Sequence, residues 1–192
     1  FGVALPVTLP EFYATHVGLE LGVVAAVFMA VRLIDIGFDP FIGWGMDRTR
    51  TRLGRYRPWM AVSVPILMLA ALMMFVLVQP GASPAYLFAW LLVLYLGYSI
   101  GTLGQLGWAA VLAPQYDQRS RVYGWGQGVN IIGVILILVL PTVVIQTGLG
   151  DYADGVRIMG WAIIIALPAT FGLAMLAVPE PVNPGAQPHG GV

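Results

Sequence analysis

The sequence predicts an all-α integral membrane protein, and its composition and the spacing of its apolar stretches lead to that prediction. Apolar residues make up 59% of the 192 residues and charged residues only 9%, a balance typical of multispan membrane proteins. The apolar residues fall into stretches near the roughly 20 helical residues needed to cross about 30 Å of hydrocarbon. Segments rich in Arg, Gly or Pro separate these stretches. We therefore expect a bundle of membrane-spanning helices.

Six helices account for most of the chain. The first, residues 1–16, is too short to span the hydrocarbon and is expected to be the second half of a truncated helix. The others are predicted at residues 19–46, 58–78, 85–112, 122–146 and 158–178. Residues 179–192 are rich in Pro and Gly and predict the start of a central cytoplasmic linker. Residues 1–178 would then form one bundle, which is half of a larger protein.

The distribution of Arg predicts the orientation of this bundle. All of the formal positive charge comes from Arg, and five of the nine Arg residues lie in the loop at residues 47–57. Arg119 and Arg121 lie in a second segment, 115–121, whereas residues 17–18 and 79–84 carry no positive charge. The positive-inside rule places both Arg-rich segments in the cytoplasm and residues 148–157 outside the cell.

Composition also excludes several classes of protein. The net charge is zero, so no basic excess indicates a nucleic-acid partner. The absence of Cys excludes disulfides, thiolate metal sites and thiol catalysis. No nucleophile elbow, zinc-binding helix or phosphate loop is present. We expect neither an enzyme nor a bound cofactor.

Three ionisable residues lie inside the second apolar stretch. On a helix, Arg32, Asp35 and Asp39 fall within an arc of roughly 60°. Each charge at the centre of a membrane helix costs about 2.5 to 3.5 kcal/mol, so this stripe must face a protein-lined or watery interior. Arg32 can neutralise one carboxylate, which leaves one negative charge for a mobile cation or proton. The alternative is a buried ion pair that only fixes helix packing.

The fourth stretch carries a polar stripe. Tyr95, Tyr98, Ser99, Thr102 and Gln105 recur at three- and four-residue spacing, with Trp108 one turn further. Hydroxyls, an amide and an indole suit a hydroxyl-bearing solute, and the alternative is hydrogen bonding between helices. On the same helix Gly97, Gly101, Gly104 and Gly107 predict the close approach of another helix.

The second stretch and the loop after it resemble a known family. Arg32, Asp35, Asp39, Pro40 and Gly43 meet the pattern R-x-x-D-x-x-x-D-P-x-x-G of the glycoside-pentoside-hexuronide:cation symporters, within the major facilitator superfamily. The resemblance implies cation-coupled symport of a sugar by alternating access, in a twelve-helix fold of which this chain is the N-terminal half.

The resemblance also implies roles for particular residues. Asp35 and Asp39 match the carboxylates that bind the coupling ion, Na⁺ or H⁺, and Thr102 lies within one residue of the helix-four ligand. Five residues match the superfamily's cytoplasmic loop motifs, and we expect them to form a gate: Asp47, Arg48, Arg55, Asp117 and Arg119. In this gate, Asp47 and Arg48 would meet the segment after helix four.

The substrate site departs from the family pattern. Sugar-binding members carry an acidic residue on helix four, where this chain has Gly104 or Gln105, and an arginine on helix five, near Asn130. The candidate solute contacts are therefore mostly neutral: Arg32, Tyr98, Gln105, Trp108 and Asn130. We expect a neutral sugar or glycoside.

Two other functions fit parts of the pattern. A carrier of the same fold could transport a lipid or another non-sugar solute. An intramembrane prenyltransferase also places aspartates four residues apart, as Asp35 and Asp39 are, before an Arg-rich loop. That enzyme needs a second aspartate cluster on the same side of the membrane, whereas Asp151 and Asp154 are predicted on the other side.

Overall fold

The computed structural model describes residues 4–51, 54–113 and 115–178, and within them the chain folds into six helical elements. α1 and α3 each end in a short π-helical segment. The bounds are α1 Ala4–Phe12 with Tyr13–Val17, α2 Leu21–Arg48, α3 Arg57–Ala71 with Leu72–Val76, α4 Pro84–Leu112, α5 Tyr116–Gln146 and α6 Tyr152–Ala177. Among the described helices, α2 to α6 are long and apolar enough to cross a membrane. The predicted linker, residues 179–192, lies outside the described residues.

Two helices begin about two turns earlier than predicted. α5 starts at Tyr116, so the segment expected to be a loop at 115–121 is mostly helical, with Asp117 in its first turn where a negative charge favours a helix start. α6 starts at Tyr152 instead of residue 158. Asp151 caps it, and the side chain of Asp154 reaches back to the Asp151 backbone N–H at 3.3 Å. This reciprocal capping box explains the early start.

The glycines of α4 pack against α3, as the small-residue spacing predicts. A Cβ added at Gly97 would lie 2.9 Å from Ile66, and one at Gly104 would lie 2.7 Å from Met60. One at Gly107 would overlap the ring of Tyr56. Glycines later in α4 contact residues earlier in the chain on the α3 side, so the two helices are antiparallel and in close contact.

α2 lies beside α4 and runs parallel to it. Asp35 contacts Ser99, and Arg32, one turn earlier, lies near Tyr95 on α4. A cluster around Ile42, Met46 and Ile100 continues the contact toward the Arg-rich end. A larger apolar core joins α1, α3, α4 and α6. The parallel α2–α4 pair places the ionisable stripe of α2 next to the polar stripe of α4.

Candidate ion and solute site

Asp35 is the most enclosed ionisable side chain of the predicted stripe. Its residue is only 5% exposed. Ser99 on α4 donates a hydrogen bond to Asp35 Oδ1 at 2.9 Å, and Arg32 Nη1 lies 3.3 Å from Oδ2. The carboxylate is therefore held from both sides, by a hydroxyl across the helix contact and by a guanidinium one turn away on α2.

Arg32 is much more open than its partner. Its side chain is 61% exposed, and its guanidinium lies 5.9 Å from the centre of the Tyr95 ring. The sequence predicts that Arg32 neutralises one carboxylate, and the geometry pairs it with Asp35.

Asp39 lies one turn after Asp35 and is half-buried. Its Oδ1 atom is fully buried and has no hydrogen-bond partner among the described residues. A buried carboxylate oxygen without a donor is costly in a membrane protein. Since carboxylate oxygens are hard ligands, this atom is suited to a proton or an alkali cation.

A metal ion here would need ligands besides acids. Within the described residues there is no cluster of three or more His, Asp or Glu side chains. Asp35 and Asp39 would have to be completed by neutral oxygens, and one candidate is the Ser99 hydroxyl, which is hydrogen-bonded to Asp35. Ser99 was not among the predicted site residues, although the spacing of the α4 polar stripe includes it.

The predicted solute residues on α4 divide between two faces. Tyr98 and Thr102 are half-buried and Gln105 is exposed, and they lie within an arc of about 60°. Trp108 is 7% exposed and lies about 180° around the helix from Ser99. It shares the face of Gly97, Gly101 and Gly104.

Trp108 is therefore enclosed on the α3 side of α4, apart from the polar stripe. Its indole Nε1 has no hydrogen-bond partner in the described part of the chain. The prediction that Trp108 continues the stripe is corrected by this placement. Side chains three residues apart on a helix differ in direction by about 60°. Trp108 follows Thr102 by six residues, so it points about 120° away from Thr102.

Asn130 lies on α5 and is exposed, as is Gln127 one turn earlier. In the described structure neither side chain forms a hydrogen bond with the Asp35 carboxylate. Their side chains remain available to a solute.

The predicted gate residues are paired differently from the expectation. Asp47 is 3.7 Å from Arg55 through their side chains, and Arg55 also donates to the Asp47 carbonyl oxygen. Arg119 donates to the carbonyl oxygens of Ala113 and Ala110, at 3.3 and 3.4 Å. Arg119 thus caps the end of α4, where exposed carbonyls and the helix dipole attract a cation.

Arg48 and Asp117 also lie apart from the expected pairing. The Arg48 guanidinium stacks over the Trp44 ring at 3.8 Å, and Asp117 is exposed at the start of α5. Among the described ion pairs, none joins the loop after α2 to the segment after α4. Arg55 follows Asp47 by only eight residues, so the two can pair across the end of α2 without any approach of the segment after α4.

Five apolar helices, with a buried carboxylate on α2 that is hydrogen-bonded to α4, define a multi-pass membrane protein with a polar site inside its bundle. This is an architecture of membrane carriers. The chain belongs to the MFS/sugar transport protein family, whose family model matches residues 1–188. The family assignment confirms the predicted N-terminal major facilitator bundle.

Similar proteins include several carriers. A lactose permease of Lactobacillus helveticus is 28% identical over 79% of this chain and 27% of its own length. An isoprimeverose transporter of Lactiplantibacillus pentosus is 30% identical over 46% of this chain and 18% of its length. A sodium-dependent lysophosphatidylcholine symporter 1 of Xenopus tropicalis is 26% identical over 67% of this chain and 23% of its length.

The chain spans less than half the length of these relatives. The family and the relatives named above are transport proteins, as the resemblance implies, and none is a prenyltransferase. The later aspartate pair, predicted on the other side of the membrane, has a structural role, because Asp151 and Asp154 form the capping box of α6.

Proposed function

We propose that this chain is the N-terminal half of a secondary active transporter that carries a sugar or glycoside together with Na⁺ or H⁺ by alternating access. The observation that carries the proposal is the pair of carboxylates on α2, of which Asp35 is hydrogen-bonded to α4 while Asp39 keeps a buried oxygen without a partner. A cation or proton that enters this site would give the unpartnered oxygen of Asp39 a partner.

Charge balance supports a monovalent ion. Two carboxylates and the Arg32 guanidinium leave one net negative charge between α2 and α4. One Na⁺ or one proton neutralises that charge, whereas a divalent ion would leave an excess positive charge in the apolar bundle. The coupling ion then also links the two helices, since Asp35 already contacts Ser99.

The orientation of the bundle is part of the same proposal. The Arg-rich loop after α2 and the Arg-bearing start of α5 would lie in the cytoplasm, according to the positive-inside rule. The external end would contain the turn after the first helix and the Asp151 cap of α6.

The solute is proposed from both residues and relatives. Tyr98, Thr102 and Gln105 offer neutral hydrogen-bonding groups along one side of α4. Two of the similar proteins are named for lactose and isoprimeverose. A neutral, hydroxyl-bearing solute fits these groups.

The test uses the full-length parent protein, because this chain spans only part of its relatives. Asp35→Asn and Asp39→Asn should each abolish ion-driven accumulation of a radiolabelled solute, since an amide removes the anionic oxygen. Exchange of labelled for unlabelled solute should persist in at least one variant, because exchange need not move the ion. Glu20→Gln is the matched control, as its carboxylate is exposed just before α2 and has no part in the proposed site. Normal accumulation in both Asp35 and Asp39 variants would reject the ion site.

A second candidate solute is a lysophospholipid, and it is favoured by the relative named as a lysophosphatidylcholine symporter. A thermal-shift panel on the full-length protein can separate the two candidates, because a ligand that binds the folded state raises its apparent stability. Sugars, glycosides and lysolipids would be compared at fixed Na⁺ and pH. Stabilisation by a lysolipid with no response to any sugar would replace the sugar in the proposal and leave the ion site standing.

A further inference from the structure

The Arg-rich end of α2 carries an exposed face that the proposed transport site does not use. Phe41 is 72% exposed and Trp44 is 58% exposed, and Arg48 is exposed one turn further on. The three side chains lie within an arc of about 60°. We call them the Trp44–Arg48 face.

This face points away from the ionisable stripe. Arg48 is nine residues from Asp39, which places the two about 180° apart around the helix. The neighbouring flank is occupied by α3, because a Cβ added at Gly45 would lie 3.1 Å from the Trp59 ring. On the proposed function, the helices that complete a transport path past Asp39 lie on the opposite side of α2 from this face. The Trp44–Arg48 face is thus directed toward the surrounding bilayer.

The end of α2 is held firmly in this position. Trp59 Nε1 donates to Thr49 Oγ1 at 2.8 Å, and Thr49 Oγ1 donates to the Gly45 carbonyl oxygen at 2.9 Å. These bonds fix the last turn of α2 against α3, so the face is presented as a preformed surface.

Arg48 is oriented but not neutralised. Its guanidinium stacks over the Trp44 ring at 3.8 Å, and within the described residues no carboxylate forms an ion pair with it. The adjacent Asp47 is paired with Arg55 instead. A guanidinium held over an aromatic ring keeps its N–H groups in its own plane, and their outer edge can bind two oxygens of a phosphate at once.

We propose that the Trp44–Arg48 face binds an anionic phospholipid, with its phosphate on Arg48 and an acyl chain along Phe41. Arg50, exposed two residues later, adds a second positive charge at headgroup depth. Trp is enriched at this depth of a membrane, and basic residues beside a spanning helix attract anionic headgroups. The site is independent of the transported solute and of the coupling ion.

The test compares the full-length protein in nanodiscs of phosphatidylcholine with nanodiscs that also contain phosphatidylglycerol. Phosphatidylglycerol should raise the apparent melting temperature of the wild type and remain bound in native mass spectrometry. Arg48→Gln should weaken its binding by about fivefold, the effect expected for one basic residue at the surface. Arg48→Lys should recover part of the binding, because it keeps the charge but not the planar fork.

The matched control is Arg157→Gln, since Arg157 is an exposed Arg at the other end of the bundle, 3.6 Å from Asp154. It should leave phosphatidylglycerol binding unchanged. Equal binding by wild type and Arg48→Gln would overturn the proposal. An equal loss of stability of Arg48→Gln in both lipids would also overturn it, because Arg48 would then pair with a protein carboxylate. Full stabilisation of the wild type by soluble glycerol phosphate alone would overturn it as well.

Discussion

Ser99 and Asp35 form a side-chain hydrogen bond that crosses from α4 to α2. Ser99 is 7% exposed and Asp35 is 5% exposed, so neither group can turn to bulk water if the other is removed. Loss of the hydroxyl would leave a buried carboxylate oxygen without its donor, which typically costs about 1 to 3 kcal/mol.

We expect Ser99→Ala to lower the melting temperature of the full-length protein and to weaken stabilisation by the coupling ion. Thr102→Ala, on the same helix but half-buried, tests the predicted alternative ligand. Thr170→Ala is a control for loss of a hydroxyl, because Thr170 bonds only to carbonyls of its own helix. If Thr102→Ala weakens the ion response and Ser99→Ala does not, the helix-four ligand is Thr102.

Trp108 and Gln105 should behave oppositely, although they are three residues apart. Trp108 is enclosed, so Trp108→Ala should cost about 3 to 5 kcal/mol of folding free energy, as truncation of a buried aromatic does. Gln105 is exposed, so Gln105→Ala should leave the melting temperature unchanged and weaken solute binding. Thermal unfolding and solute titration of both variants check this prediction. Unchanged stability in Trp108→Ala would show that the ring is accessible in the whole protein.

Residue types could be placed on elements from the sequence, but their partners could not. The stripe of Arg32, Asp35 and Asp39 follows from helical spacing and the cost of charge in hydrocarbon. The bond to Ser99 joins residues 64 apart in sequence, and no local pattern determines which residue of a polar stripe faces the carboxylate. Asp47 is predicted to meet the segment after helix four, whereas in the structure it pairs with Arg55, eight residues further along the chain.

At the scale of elements, the α3–α4 pair depends on glycine. Gly107→Ala should destabilise the protein by about 1 to 3 kcal/mol, because the added methyl group overlaps the Tyr56 ring and overpacking has this cost. Gly172→Ala on α6 has nothing within 4 Å of the added atom. It should stabilise the protein by up to about 1 kcal/mol, since Ala favours helix. Thermal unfolding should show a lower melting temperature for Gly107→Ala and a higher one for Gly172→Ala. A higher melting temperature in both variants would contradict the close contact between α3 and α4.

Element boundaries show where sequence patterns succeed and fail. Apolar length identifies spanning helices because hydrocarbon thickness imposes it. It does not report polar turns that extend a helix beyond the membrane, and α5 and α6 both begin with such turns. The D-Y-A-D run at Asp151 carries the signal for α6, since an Asp cap with an acid three residues later forms a capping box.

At the scale of the whole molecule, the orientation can be tested by labelling, because the sequence contains no Cys. In a cysteine-free full-length protein, Leu149→Cys should react with an impermeant maleimide added to intact cells. Leu149 is 76% exposed at the proposed external end. Thr51→Cys, exposed in the loop after α2, should react only after the cells are permeabilised. The reverse labelling pattern would invert the topology.

One contact at the Arg-rich end has a mechanical consequence. Arg57, the first residue of α3, donates to the carbonyl oxygen of Met175 and lies 3.1 Å from its sulfur through Nε. The last turn of α6 is thereby fastened to the short loop that follows α2. The end of α6 is therefore held at the same end of the bundle as the Asp47–Arg55 ion pair, because Arg55 lies only two residues before Arg57.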